Sequence, residues 1–223
     1  VSQVAAAILE EKIPLGIVPA GSTNMVAKVS DIPSNPEQAV QLIFGWHRRE
    51  RIDAGRSGDR LLLHLGGSGI DARIFLGANS KLKQHLRWVA YVPPAVTGAM
   101  ARPSMYTVTV DGVETRARSS LVLVANSAQL LHSKIHLVSD VSRNDGEFDV
   151  FIYTAENPLK LAAAGLTSLT GHLEAFGQII RLKGSRIRIE ADPPAPTELD
   201  GEVVGETPLE IDVLPRAIEL IRG

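Results

Sequence analysis

The hydrophobic pattern of the first twelve residues has the spacing of a helix. Small and apolar side chains from Val1 to Leu9 predict a helix over residues 1–12, which ends at Ile13-Pro14. No capping residue and no strand precede this helix in the sequence. Because helices usually begin with such a signal, we expect further residues upstream of Val1.

A strand and two more helical segments follow. Leu15 to Val18 is short and wholly apolar, as in a buried parallel strand. Pro19 to Asn24 breaks the chain, and Met25 to Lys28 begins a helical stretch. Asn35 is a suitable N-cap for a helix over Pro36–Trp46, which has proline at its first position. The opening segment is therefore predicted to be α/β.

Beyond about residue 50 the pattern changes to many short runs with strand character, which predict a sandwich or a distorted barrel. We expect hairpin turns at Asp111-Gly112 and at Lys183-Gly184-Ser185, and a helical insertion over residues 74–101. The predicted strands are Arg60–Leu65, Tyr106–Val110, Ser119–Ala125, Phe148–Tyr153, Ile179–Leu182, Arg186–Glu190 and Leu209–Val213.

These changes divide the chain into two predicted domains. Residues 1–50 form an α/β unit, and residues 51–213 form a β-rich unit. The last residues, 214–223, are expected to pack back on the first unit.

Composition and charge exclude several classes of protein. The chain of 223 residues has no cysteine, which rules out disulfides, thiolate catalysis and cysteine–zinc sites and makes a reducing cytosol the default location. The net charge of −2 argues against bulk nucleic-acid binding. No run of about 20 apolar residues is present, so the sequence predicts no membrane-spanning helix.

The loop Pro19-Ala20-Gly21-Ser22-Thr23-Asn24 is the first candidate for a binding function. Gly21 permits close approach, and the hydroxyls of Ser22 and Thr23 can donate hydrogen bonds to a phosphate at a strand-to-helix junction. The same residue types are preferred in capping loops, so both interpretations remain open. The loop lacks the lysine and the glycine spacing of a P-loop.

Two further polar stretches have a functional and a structural interpretation. The stretch from Ser142 to Asp149, which includes Asp145 and Glu147, offers oxygen ligands for a hard cation but also fits a polar turn before a strand. Gly66-Gly67-Ser68-Gly69-Ile70-Asp71-Ala72 is similar to dinucleotide loops, although we favour a tight turn there.

A basic and aromatic segment and the histidines complete the survey. Residues 81–92 interleave basic residues with Trp88 and Tyr91 at helical spacing, which fits either an interfacial helix at an anionic membrane or a half-buried surface helix. The histidines, among them His64, His132, His136 and His172, show no ligand spacing, so metal binding through imidazole is not expected.

The late triplet Asp200-Gly201-Glu202 places two carboxylates around a glycine. Taken alone, such a triplet is most often a solvated hairpin tip. Its functional interpretation depends on partners elsewhere in the chain.

In this order, the motifs resemble the diacylglycerol kinase catalytic superfamily, and within it the bacterial soluble lipid kinases, which are related to sphingosine and NAD kinases. The family motif Pro-x-Gly-Thr-x-Asn-x-x-Ala resembles Pro19 to Ala27, with Ser22 in place of threonine and Lys28 in place of a following arginine. The other matching stretches are Gly69-Ile70-Asp71-Ala72, Val124-Ala125-Asn126, Asn144-Asp145-Gly146 and Asp200-Gly201-Glu202. The family's Gly-Gly-Asp-Gly-Thr motif would lie immediately before Val1. Unless another chain supplies that segment, this polypeptide alone is not expected to bind ATP normally.

The resemblance implies a fold and a reaction. The fold is a partial NAD-kinase-like α/β nucleotide domain, residues 1–50, followed by a β-sandwich-like lipid-substrate domain. The reaction is transfer of the γ-phosphoryl of ATP, with Mg²⁺, to a lipid hydroxyl, with diacylglycerol and its product phosphatidic acid as the favoured case. Glu202 favours a lipid over NAD as substrate, while sphingoid lipids stay open. A non-catalytic fragment that binds lipid or nucleotide is the alternative of a different class.

The resemblance also assigns roles to residues. Asp200 would be the general base, and Glu202 would assist it or hold Mg²⁺. The nucleotide would be lined by Gly21, Ser22, Thr23 and Asn24. A structural Mg²⁺ would be held by Asp145 together with backbone carbonyls near Ser142 and Glu147. Membrane contact at the periphery, a cytoplasmic location and a homodimer are further expectations.

Overall fold

The computed structural model describes residues 1–21, 24–69, 72, 103–127, 141–154 and 179–223. Within these ranges three helices lie near the amino end: α1 (Ser2–Ala7), α2 (Met25–Lys28) and α3 (Pro36–Phe44). The side chain of Asn35 accepts a hydrogen bond from the backbone N–H of Gln38, which confirms the predicted cap of α3. The first helix is shorter than predicted, because residues 8–12 form turns.

Twelve strands follow in the described residues and form two six-stranded sheets. The first sheet has the order β2-β1-β12-β9-β4-β5, and the second has the order β11-β10-β3-β6-β7-β8. The strands are β1 (Arg48–Ser57), β2 (Arg60–Leu62), β3 (Leu65–Gly69), β4 (Ser104–Val110), β5 (Val113–Ser119), β6 (Leu121–Ala125), β7 (Phe148–Tyr153), β8 (Ile179–Gly184), β9 (Arg186–Asp192), β10 (Pro196–Leu199), β11 (Glu202–Glu206) and β12 (Leu209–Arg222).

The main hydrophobic core lies between the two sheets. Tyr106 and Ile211 of the first sheet and Phe148 and Val150 of the second are all at most 1% exposed and belong to one cluster. All strand pairs within the sheets are antiparallel. The predicted combination of an α/β segment with a β sandwich is therefore confirmed, with few helices and a preponderance of strand.

A second core joins the amino-terminal segment to the first sheet. Ala5, Ile17 and Ala39 pack with Ile52 of β1 and Leu220 of β12. The predicted strand near Leu15 appears as a single parallel bridge to Leu220. The end of the chain thus lies against the opening segment, while the division into domains at residue 50 stays a prediction.

Three local predictions are wrong. Gly66 to Gly69 do not form a turn but lie in β3, between β10 and β6. Lys183-Gly184-Ser185 is not a hairpin, because β8 and β9 belong to different sheets. The predicted strand Arg60–Leu65 is likewise divided between β2 and β3, one in each sheet. Each of these errors concerns a partner strand, which the local pattern does not specify.

Several predictions lie outside the described residues. They concern Ser22, Thr23, Ile70, Asp71, the helical insertion 74–101 with the segment 81–92, and the three histidines His132, His136 and His172.

Candidate active site

The Asp200-Gly201 turn joins β10 to β11 as a two-residue hairpin. Leu199 pairs with Glu202 across it, and both turn residues have positive φ, 50° at Asp200 and 84° at Gly201. Aspartate and glycine are favoured in this turn because both tolerate the left-handed region. The predicted hairpin tip is therefore present, but Asp200 is partly buried and its side chain folds back onto the protein.

The carboxyl group of Asp200 folds inward against the segment between β2 and β3. Its two oxygens accept hydrogen bonds from the backbone N–H groups of Leu63 and His64, each at 2.9 Å. The N–H of Asp200 donates to the carbonyl oxygen of Leu65 at 2.8 Å. Burial of the carboxyl group raises the pKa of Asp200 to about 6, against the opposing effect of these N–H donors. The carboxyl group of Asp200 is thus held in a fixed orientation, and its raised pKa makes its ionised form a better proton acceptor than an ordinary aspartate.

Glu198, which the sequence analysis did not single out, supports the same turn. It is 2% exposed, and its Oε2 accepts a hydrogen bond of 2.6 Å from the N–H of Gly201. A buried acceptor that binds this N–H fixes the backbone between the two acidic residues of the motif. The only signal in the sequence is a third acid two positions before Asp200.

Glu202 faces outward and makes contacts that are readily exchanged. Its Oε2 lies 3.2 Å from Arg60 Nη1, and the two side chains are 52% and 47% exposed. The amide of Gln3 in α1 donates to the same oxygen at 3.4 Å. Exposed pairs of this kind contribute little to stability, so the carboxylate can change partners at low cost. The bond from Gln3 also brings the opening helix to the acidic turn.

The loop that precedes α2 is closed by its own side chain. Asn24 Oδ1 accepts from the N–H of Gly21 at 2.8 Å, and Asn24 Nδ2 donates to the carbonyl of Gly21 at 2.7 Å. The side chain of Asn24 makes no capping bond to α2. The nucleotide role of Gly21 and Asn24, and their approach to Asp200, stay predictions.

The predicted metal loop is occupied by a side chain of β8. Lys183 Nζ lies 2.7 Å from Asp145 Oδ2 and 3.6 Å from Glu147 Oε2. The hydroxyl of Ser142 donates to the side-chain oxygen of Asn144 instead of pointing to a common centre. Among the residues that the structure describes, no group of three or more acidic or histidine side chains could hold a metal ion. The donor set as arranged does not fit a divalent cation, so the metal assignment remains only a prediction.

A chain of buried and partly buried hydrogen bonds connects this loop to Asp200. Asp53 is fully buried and accepts from the N–H of Gly146 at 2.7 Å. The side-chain amide of Asn126, also fully buried, donates to the carbonyl oxygens of Asp53 and Leu63, and the N–H of Leu63 binds Asp200. Asn126 lies in one of the stretches that resemble the family motifs, whereas the sequence analysis did not single out Asp53. Its signal is a single acid inside the apolar run Ile52-Asp53-Ala54.

Comparisons with known families divide the chain into two matches. Residues 1–57 match the diacylglycerol kinase catalytic domain. Residues 66–222 match the YegS C-terminal NAD kinase beta sandwich-like domain, which accounts for more than half of the sequence.

Individual relatives are similar over almost the whole chain. An uncharacterized protein of Synechocystis is 27% identical over 99% of this chain, and a "putative lipid kinase" of Staphylococcus haemolyticus is 27% identical over 94% of it. This chain spans 52% of the first protein and 68% of the second.

The fold is shared with solved structures. A "putative diacylglycerol kinase" from Bacillus anthracis superposes with a TM-score of 0.76 at 22% identity, covering 94% of this chain and 68% of that one. In the described part of our chain, none of the helices is both long and apolar enough to cross a bilayer.

Proposed function

Because this chain belongs to the diacylglycerol kinase catalytic superfamily, we propose that it forms the substrate-binding and base-bearing part of an ATP-dependent lipid kinase. The proposed reaction moves the γ-phosphoryl of ATP to a lipid hydroxyl, with diacylglycerol as acceptor and phosphatidic acid as product. The observation that carries this proposal is the partly buried, doubly hydrogen-bonded carboxyl of Asp200.

Asp200 suits the role of general base. A base works best when its pKa lies near the working pH, because it is then largely ionised and still accepts a proton readily. A pKa of about 6 meets this condition, whereas the usual pKa of aspartate, about 3.9, would make a poorer acceptor. The two N–H donors hold the carboxyl in one orientation, so a hydroxyl that reached it would meet a fixed acceptor.

Glu202 is proposed to act beside Asp200 by holding the Mg²⁺ that accompanies the phosphates of ATP. Its half-exposed carboxylate offers the hard oxygen that Mg²⁺ prefers. Bound there with ATP, the ion would supply neutralisation of phosphate charge, as in other phosphoryl transfers. Arg60, which now pairs with Glu202, would lie next to the same phosphates. Gly21 and Asn24, with Ser22 and Thr23 between them, are proposed to line the nucleotide.

The acceptor is the part of the proposal that most needs a test. We would incubate the longest natural form of the protein with Mg²⁺ and radiolabelled ATP, and offer diacylglycerol, sphingosine, ceramide and NAD separately. The proposal expects label in the diacylglycerol product. Label in sphingosine or ceramide alone would replace diacylglycerol as the proposed acceptor. Label in NAD alone would show that the acceptor is not a lipid. No transfer to any acceptor, with nucleotide or lipid still bound, would support a non-catalytic binding protein.

A further inference from the structure

The loop of residues 142–147 carries two carboxylates that meet one ammonium group. Lys183 Nζ is 2.7 Å from Asp145 and 3.6 Å from Glu147. The three side chains are about one third to one half exposed, 37% for Lys183, 32% for Asp145 and 47% for Glu147.

The sheet fixes Lys183 at this position. In the antiparallel pairing of β7 and β8, Lys183 lies opposite Asp149, the second residue of the strand that follows the loop. Asp149 is fully buried and is paired with Arg181, two residues before Lys183 on β8. The position of Lys183 beside the loop therefore follows from strand register and not from a flexible surface contact.

The backbone of the loop is held by other protein groups. The N–H of Gly146 binds the buried carboxylate of Asp53. Arg143 donates to the carbonyl oxygen of Val29 and to the hydroxyl of Ser30 at the end of α2. Each of these bonds comes from a neighbouring element, so a metal ion is not needed to explain the loop's shape.

We propose that Lys183 is the built-in cation of this loop and occupies the place on Asp145 that a divalent ion would otherwise take. Mg²⁺ requires near-octahedral oxygen coordination and gives up its water reluctantly. It would have to displace an ammonium that already neutralises one of two carboxylates. The loop should therefore fold without bound metal, and Asp145 should bind Mg²⁺ only when Lys183 is removed. This proposal does not depend on the phosphoryl transfer proposed above.

Thermal unfolding of the nucleotide-free chain tests the proposal without any activity measurement. The wild-type protein, Lys183→Met and the control Lys12→Met, which removes an exposed lysine elsewhere, would each be melted in EDTA and in millimolar MgCl₂. We expect the wild type and the control to melt at the same temperature in both buffers. Lys183→Met should melt lower in EDTA, by about 1–3 °C, and should recover part of this loss in MgCl₂.

Two results would overturn the proposal. The first is a saturable rise in the melting temperature of the wild type with Mg²⁺ that disappears in Asp145→Asn, since this would show a metal site in the presence of Lys183. The second is a Lys183→Met variant that is as stable as the wild type in EDTA. The wild-type comparison remains decisive even if Lys183→Met does not fold.

Discussion

The carboxylate of Glu198 accepts a hydrogen bond of 2.6 Å from the backbone N–H of Gly201 and so fixes the turn that carries Asp200. Glu198 is 2% exposed, so water is poorly placed to replace this acceptor. Glu198, which lies three residues before Gly201, thus helps to determine where the carboxylates of Asp200 and Glu202 point.

Removal of this acceptor should destabilise the protein. Glu198→Ala would leave the partly buried N–H of Gly201 without its partner, and an unsatisfied donor that is shielded from water costs about 1–3 kcal/mol, so we expect a loss near the lower end of this range. Glu198→Gln keeps a carbonyl oxygen and should recover a large part of the loss. Urea denaturation of the three proteins measures the free energy of unfolding. Equal stability of Glu198→Ala and the wild type would show that the bond does not support the turn.

Asp200→Asn should remove turnover. The amide cannot accept the substrate proton, and general-base catalysis typically contributes a factor of about 10²–10⁴. Asp59→Asn, an exposed aspartate at the β1–β2 turn, is the matched control and should retain full rate. The rate of lipid phosphorylation is measured together with the circular dichroism spectrum, so that unfolding is distinguished from lost catalysis. Undiminished turnover by a folded Asp200→Asn protein would refute the base assignment.

The raised pKa of Asp200 predicts a specific pH dependence of stability. The folded state, with a pKa of about 6, binds this proton more tightly than the unfolded state, whose value is about 3.9. The contribution of Asp200 to stability is therefore fully present below about pH 4 and is lost as the pH rises through about 6. The amide introduced by Asp200→Asn does not titrate, so the wild type should lose stability relative to that variant over this range. If the free energies of unfolding of the wild type and of Asp200→Asn changed in parallel with pH, the raised pKa of Asp200 would be contradicted.

Gly67 should be essential to the central position of β3. It lies opposite Leu123 of β6, and a Cβ atom there would overlap the carbonyl oxygen of Val122. We expect Gly67→Ala to lower the free energy of unfolding by more than about 2 kcal/mol, because the obstacle is backbone in a paired strand. Gly58→Ala is the control: φ is also positive, at +60°, but no atom lies within 4 Å. Gly58→Ala should lower the free energy of unfolding by only about 1 kcal/mol. Similar losses in both variants would show that backbone conformation, and not crowding, is decisive.

The sequence predicted those features that depend on a residue's own backbone preferences. The cap at Asn35, the hairpin turns at Asp111-Gly112 and Asp200-Gly201, and the strand Phe148–Tyr153 all appear as expected. Their signals lie within a few residues of one another, so no knowledge of the rest of the chain is required.

Features that depend on distant partners were not predicted. The glycines of β3 resembled a turn because glycine is common in turns, yet Gly67 permits the close approach of β6 and Gly66 permits that of β10. Lys183 looked like part of a hairpin, yet the strands on its two sides pair in different sheets. Glu198 and Asp53 carried only weak signals in the sequence, because the role of a buried acid depends on the N–H groups that the fold places around it.

By itself the sequence determined the order of motifs and hence the superfamily, the sandwich class of the fold and the position of the Asp200 turn. The tertiary structure alone decided that the carboxyl of Asp200 binds the N–H groups of Leu63 and His64, and that Lys183 contacts Asp145. The reason is physical: turns and caps are set by local backbone energies, whereas the pKa and the partners of a carboxyl depend on which strands the two sheets bring together.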